Sequence, residues 1–243
     1  MVSIFFTIEF FFLKIWYTRF NQLNEREDIK MDILETMKAR HSVRQYKNQA
    51  IESSKREKIN ALIKDVNAES KLSIQVFYDE PKCFDSFMAH YGKFENVKNY
   101  IAIVGNKNDQ EKAGYYGEKI VLKCQKLGLN TCWVAMTHGK SKAQIKRGQK
   151  LLIIISLGYG ETQGVPHKSK SIAELGQADQ KNEWFEKGME AVSLAPTAVN
   201  QQKFYFELKN GIVTAKNLGG FYSRIDLGIV KYHFEVVTGH EVK

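Results

Sequence analysis

Asn210-Gly211 separates two short runs, KFYFELK and IVTAK, and this pair constrains the fold more than any other feature of the chain. Both residues tolerate the positive φ that a two-residue type I′ turn demands, and the flanks are rich in aromatic and β-branched residues. The pair therefore specifies an antiparallel hairpin. Further strands are expected at 72–78 (LSIQVFY), 99–105 (NYIAIVG) and 151–160 (LLIIISLGYG), the last a buried strand that feeds a glycine loop. Helices are expected from Met31, where Ile33, Leu34 and Met37 share a face; from Ser53 or Ser54, where Ser54 with Glu57 reads as a capping box; over 111–127, stopped by Gly128; over 184–194, halted before Pro196; and over about 226–237. Strands and helices do not alternate as βαβ units. The class is α+β, and a doubly wound nucleotide fold is disfavoured.

Residues 1–30 differ from the rest. Eight of the first twenty are aromatic, and Glu9, Lys14 and Arg19 interrupt the run. It is too short and too broken for a spanning helix, and it lacks the basic n-region and small-residue cleavage site of a secretory signal. Its charges cancel, so the whole formal +9 lies downstream. We expect residues 1–30 to stand outside the fold and 31–243 to form it, with a membrane-surface anchor as the rival role for the aromatics. A +9 balance favours anionic partners without choosing among them. Three widely spaced cysteines (Cys83, Cys124, Cys132) suggest neither a disulfide framework nor a structural zinc site, which fits a cytoplasmic setting and no metal.

A series of helix, Asn-containing turn, strand and glycine-bearing helix occurs twice, over about 58–127 and again over 184–237. This suggests an internal duplication, with halves at about 31–170 and 171–243.

Four segments carry candidate chemistry, and each has a plain alternative. In RHSVRQY (40–46) two guanidinium groups and a hydroxyl can converge on a phosphate, or simply form a solvated basic helix end. GLNTCWV (128–134) reads as a glycine stop leading into a core strand. SLGYG (156–160), followed by Lys168 and Lys170, allows close backbone approach to an anionic ligand, or is an ordinary glycine loop. APTAVNQQ (195–202) places a hydroxyl and amides where they could bond a flat heteroaromatic ring, or is a helix-to-strand turn. No GxGxxG opens a helix.

Taken in this order, the segments resemble the flavin-dependent nitroreductase family. RHSVRQY is similar to its RxSxR signature, GLNTCWV to its GLGTCW segment and APTAVNQQ to its APSxxNxQP loop, while DLGIVKYHFEVV resembles a helix of a short single-chain branch. The resemblance spans about residues 31–240. It implies a nitroreductase-like fold in which one chain resembles a fused pseudo-dimer, with FMN in a cleft between the halves. It assigns Arg40, His41, Ser42 and Arg44 to the FMN phosphate and ribityl end. Thr197, Asn200 and Gln202 would face the ring or the ribityl chain, Ala135 and Met136 would stand at the flavin N5 edge in place of two glycines, and Lys168 and Lys170 would close over the phosphate. Lys203 and Phe204 depart from the usual proline and tryptophan.

The implied function is an FMN-dependent oxidoreductase that moves electrons from NAD(P)H to a nitroaromatic or quinone-like acceptor. The flavin carries the chemistry, so no catalytic acid or base is expected. Only one RxSxR and one APTxxN segment are present, which implies one FMN per chain and no obligatory homodimer. Two other classes share some of these features: a flavin-binding sensor or scavenger without turnover, and a basic nucleic-acid-binding protein. The second is disfavoured because the Lys and Arg residues are dispersed and no finger, zipper or RNP pattern is present.

Overall fold

A computed structural model of the chain describes residues 33–243, so the aromatic leader lies outside the described residues. The helix α1 covers 33–39. It is followed by α2 (Ser53–Ser70), β1 (Ser73–Phe77), α3 (Phe87–Tyr91), β2 (Asn99–Gly105), α4 (Gln110–Lys126), β3 (Asn130–Val134) and β4 (Lys150–Gly158). The remainder comprises α5 (Ile172–Leu175), β5 (Gly176–Ala178), α6 (Glu183–Ser193), β6 (Phe204–Lys209), β7 (Ile212–Asn217) and α7 (Ser223–Thr238). No helix among the described residues is long and apolar enough to cross a membrane.

Strands β1–β4 form an antiparallel sheet in the order β1-β2-β4-β3. Its two central strands are almost wholly buried, which explains their unbroken apolar runs. A second sheet, β5-β6-β7, contains the expected hairpin, with Asn210 and Gly211 at φ 52° and 75°. One apolar cluster joins both sheets, including Ile103 and Ile155 from the first and Phe206 and Leu208 from the second.

The expected capping box at Ser54 and Glu57 does not form. Helix α2 starts at Ser53, one of the two expected positions, and Glu52 precedes it in extended conformation, its carbonyl accepting from the Lys55 and Arg56 amides. A capping box does form at α5, between Ser171 and Glu174. Helix α7 begins three residues before the expected Asp226.

The series α2-β1-β2-α4, with α3 inserted between its strands, and α6-β6-β7-α7 each include a helix, two antiparallel strands and a second helix. Helices α4 and α7 pack against each other, joined by Glu111–Lys231, Tyr115–Glu235 and Glu118–His233 contacts. Their closest approach is reciprocal. A Cβ on Gly114 would strike the Ile225 carbonyl oxygen and the Ile229 amide, and one on Gly228 would strike the Glu111 carbonyl oxygen and the Tyr115 amide. Each glycine thus meets the residue three before and one after its counterpart, as in a self-complementary two-fold contact.

Candidate functional site

A narrow cleft of ≈ 110 Å³ lies where β3, the loop after α6 and the start of α7 meet. Three segments distant in sequence supply one side of it. Ser42 and Arg44 come from the stretch after α1; Cys132, Trp133 and Ala135 from β3 and its end; and Pro196 to Val199 from the loop after α6.

The stretch after α1 is held as an added edge on β3. Ser42 bridges Thr131, and the Val43 amide donates to the Thr131 carbonyl at 3.0 Å. Tyr46 anchors it from below, its buried hydroxyl donating to the Val43 carbonyl and lying 2.7 Å from the Ser156 hydroxyl. Arg44 stays exposed, its guanidinium 5.9 Å from the Phe94 ring centre. Gly158 and Gly160 serve this packing, since a Cβ would press on the Tyr46 ring or on Val43 and Asn130. The glycine loop therefore makes room for protein side chains.

The opposite wall is α7. Ile225 and Ile229 give it an apolar surface, and Asp226 pins the loop by accepting from the Ala198 amide at 3.0 Å and the Gln201 amide group at 2.8 Å. That loop is strained. Val199, Asn200 and Gln202 have φ of 48°, 55° and 46°, and Val199 is 85% exposed at its tip. A β-branched residue in this region is an outlier, and such backbone gathers at ligand clamps.

Burial pushes the Asp226 carboxyl up, from 3.8 to about 6, although the Gln201 and Ala198 bonds pull the other way. The folded value lies above the unfolded one, so protonation favours the fold. The group's contribution is largest below pH 4, falls as pH rises through the window from about 4 to about 6, and stays low above it. The rise is worth at most roughly 3 kcal/mol. Asp226→Asn, which can keep the Ala198 bond, should flatten that part of the stability profile, as urea unfolding at pH 4.5 and 7 would measure.

The structure separates the eleven residues assigned from sequence into four groups. Ser42, Arg44, Ala135 and Thr197 line the cleft. Asn200, Gln202, Lys168 and Lys170 do not line it, and they bond one another. The Asn200 and Gln202 side-chain amides both donate to the Lys168 carbonyl at 2.9 Å, the Lys170 amide donates to Gln202 Oε1 at 2.8 Å, and Lys170 Nζ donates to the Gln202 carbonyl at 3.1 Å. This interlock fixes the loop that Thr197 opens. Met136 is exposed beyond the cleft, and His41 is half-buried beside Gly164.

Arg40 stands apart, 3% exposed, with its Nε 4.0 Å from Glu118 Oε1. Its Nε and Nη1 have no hydrogen-bond partner. Burial lowers its pKa and the Glu118 charge partly restores it. Glu118, also buried, accepts from Trp133 Nε1 at 3.0 Å and faces His233 Nε2 at 3.0 Å, while His233 Nδ1 faces the Ala191 carbonyl at 2.9 Å. Burial pushes the Glu118 carboxyl up, but the His233, Arg40 and Trp133 contacts bring it below its ordinary value.

Sequence reasoning did not single out Tyr222, Ile225, Asp226 or Ile229 as cleft residues. A carboxylate in the first turn of α7, directly between the apolar Ile225 and Leu227, was the available signal for Asp226. Tyr222, at φ 54° directly before that helix, donates to the Ala135 carbonyl at 3.4 Å and so spans the cleft.

The family described as "Putative TM nitroreductase" matches residues 32–238. Among solved structures, a "putative nitroreductase" from Thermotoga maritima MSB8 is similar at 23% identity and a TM-score of 0.61, over 84% of this chain and 82% of that one, which is a likeness of fold. An "FMN-dependent Nitroreductase" from Clostridium difficile R20291 aligns at 22% identity and TM-score 0.43, over 58% of this chain and 92% of that one. A "putative nitroreductase in complex with FMN" from Desulfovibrio desulfuricans aligns at 15% identity and TM-score 0.47, over 58% and 93%. No curated protein matches the chain in sequence.

Proposed function

Since this chain belongs to the nitroreductase family just described, a family of oxidoreductases, we propose that it binds one FMN in the cleft and passes electrons from NAD(P)H to a small aromatic acceptor such as a nitroaromatic or a quinone. The observation that carries this reading is the convergence of three segments, separated by more than a hundred and fifty positions from first to last, on one cleft.

The donor set suits FMN. The Arg44 guanidinium and the Ser42 hydroxyl offer charge-assisted and neutral bonds to a phosphate. The unpartnered Nε–H and Nη1–H of Arg40 add buried positive charge behind β3. Trp133, Ile153, Ile225 and Ile229 present the apolar walls a flat ring needs, and Thr197 supplies a hydroxyl at the rim. The volume is below the 300 to 1,000 Å³ of ordinary ligand pockets. A tricyclic ring would need more room than this, and Tyr222 and the loop that carries Val199 are the walls whose movement would give it. When bound, FMN supplies the hydride-accepting and electron-donating chemistry. The chain's residues bind, orient and exclude water, and the pinning of the loop by Asp226 sets how far the cleft opens.

The test is the visible spectrum of the purified full chain, followed by anaerobic addition of NADH or NADPH and then of a quinone. The expected result is a flavin spectrum that bleaches and recovers. A protein that takes up no FMN overturns the reading, and a flavin that neither nucleotide bleaches reduces it to flavin binding alone. Because Arg44 is exposed at the cleft and Arg40 is buried in the fold, Arg44→Ala is the cleaner phosphate variant. It should weaken FMN by about 1.5 to 3 kcal/mol, roughly 10- to 150-fold, in a fluorescence titration.

A further inference from the structure

A second cavity, of ≈ 700 Å³, adjoins the cleft, and Tyr222 forms part of both walls. We propose that it receives the 2′-phosphate end of the electron donor, so that the chain uses NADPH in preference to NADH; this rests on the flavin reading above.

The wall includes Lys150 and Arg224, and among the described residues no aspartate or glutamate lines it. Among the described residues neither cation has a carboxylate partner, whereas other cations of α4 and α7 do: Lys112 pairs with Asp109 and Lys231 with Glu111. Arg224 also sits in the first turn of α7, where the helix dipole disfavours a positive charge. Two unpaired cations, one of them at an unfavourable place, are an arrangement that a bound dianion relieves. Gln110, Asn217 and Ser223 add neutral polar groups. Helices α4 and α7 both begin at this cavity, so both positive dipole ends border it.

The choice of nucleotide follows from charge. An adenine ribose carrying a free 2′-hydroxyl is usually held by a carboxylate, and a 2′-phosphate by arginine. This cavity has the second set and lacks the first. The shared Tyr222 wall lets a single extended molecule place its nicotinamide over the cleft while its phosphorylated ribose lies in the larger space.

The test uses the full chain loaded with FMN. NADP+ and NAD+ are titrated calorimetrically against the wild type, Lys150→Gln and Arg224→Gln, and the half-saturating NADPH and NADH concentrations for flavin bleaching are measured beside them. The expected wild type binds NADP+ about tenfold or more tightly than NAD+. Each substitution should shrink that ratio several-fold, leaving NAD+ affinity, flavin content and thermal midpoint unchanged. Equal wild-type affinities, a preference for NAD+, or a preference that both variants retain would each overturn the proposal while leaving the flavin reading intact. A chain that takes up no FMN overturns the flavin reading, and this one with it.

Discussion

Glu118→Ala should cost the fold about 3 to 5 kcal/mol, enough to leave much of a marginally stable protein unfolded at 37 °C. The size follows from what the carboxylate leaves behind. Arg40 is buried with two nitrogens already unpartnered, His233 is fully buried, and Glu118 is the carboxylate that faces both. Removing it strands positive charge in the interior and frees the Trp133 indole N–H as well. Glu118→Gln keeps acceptor and donor groups in place and should cost less. The cluster links the end of α1, α4, β3 and α7 and reaches the Ala191 carbonyl of α6, so its loss should appear as one cooperative shift of the urea midpoint. An Ala variant as stable as wild type would show that the cluster contributes nothing net.

Gly228→Val should cost about 3 kcal/mol or more, and Gly114→Val should cost nearly the same. On an exposed helix, replacing glycine gains up to about 1 kcal/mol of helix propensity, so the sign depends on packing. Packing wins here, because the atoms in the way are backbone. The new Cβ meets the Glu111 carbonyl in one case and the Ile225 carbonyl in the other, and neither can move without parting the two central helices. The near equality is the sharper expectation, since it follows from the reciprocal contact and not from helix propensity. Two variants differing by several kcal/mol would mean that the two glycines are not structural equivalents.

Local structure was legible in the sequence where local chemistry decides it. Asn210-Gly211 made its hairpin because few other pairs tolerate that turn, and the apolar runs at 99–105 and 151–158 became the buried centre of a sheet because periodicity reports burial directly. The Ser54 capping signature failed because the chain entering α2 was already extended at Glu52, a matter of tertiary entry angle that the motif does not encode. At the site, the segments were readable but the directions of their side chains were not. Asn200 and Gln202 offer the same amides to a ligand or to Lys168 and Lys170, and only the path of 165–171 over the loop decides between them. Tyr222, Ile225 and Ile229 look in sequence like ordinary helix residues; they become cleft walls because α7 is drawn against α4 by two glycines.

The central claim is that one chain builds one flavin site from both of its halves, and flavin stoichiometry tests it most directly. The purified full chain is saturated with FMN and freed of excess. Heat-released flavin is then quantified against protein, beside the mass in solution. The expected result is one FMN per 28.0 kDa chain in a particle of that single-chain mass. No bound flavin, two flavins per chain, or flavin retained only by a two-chain particle would contradict it.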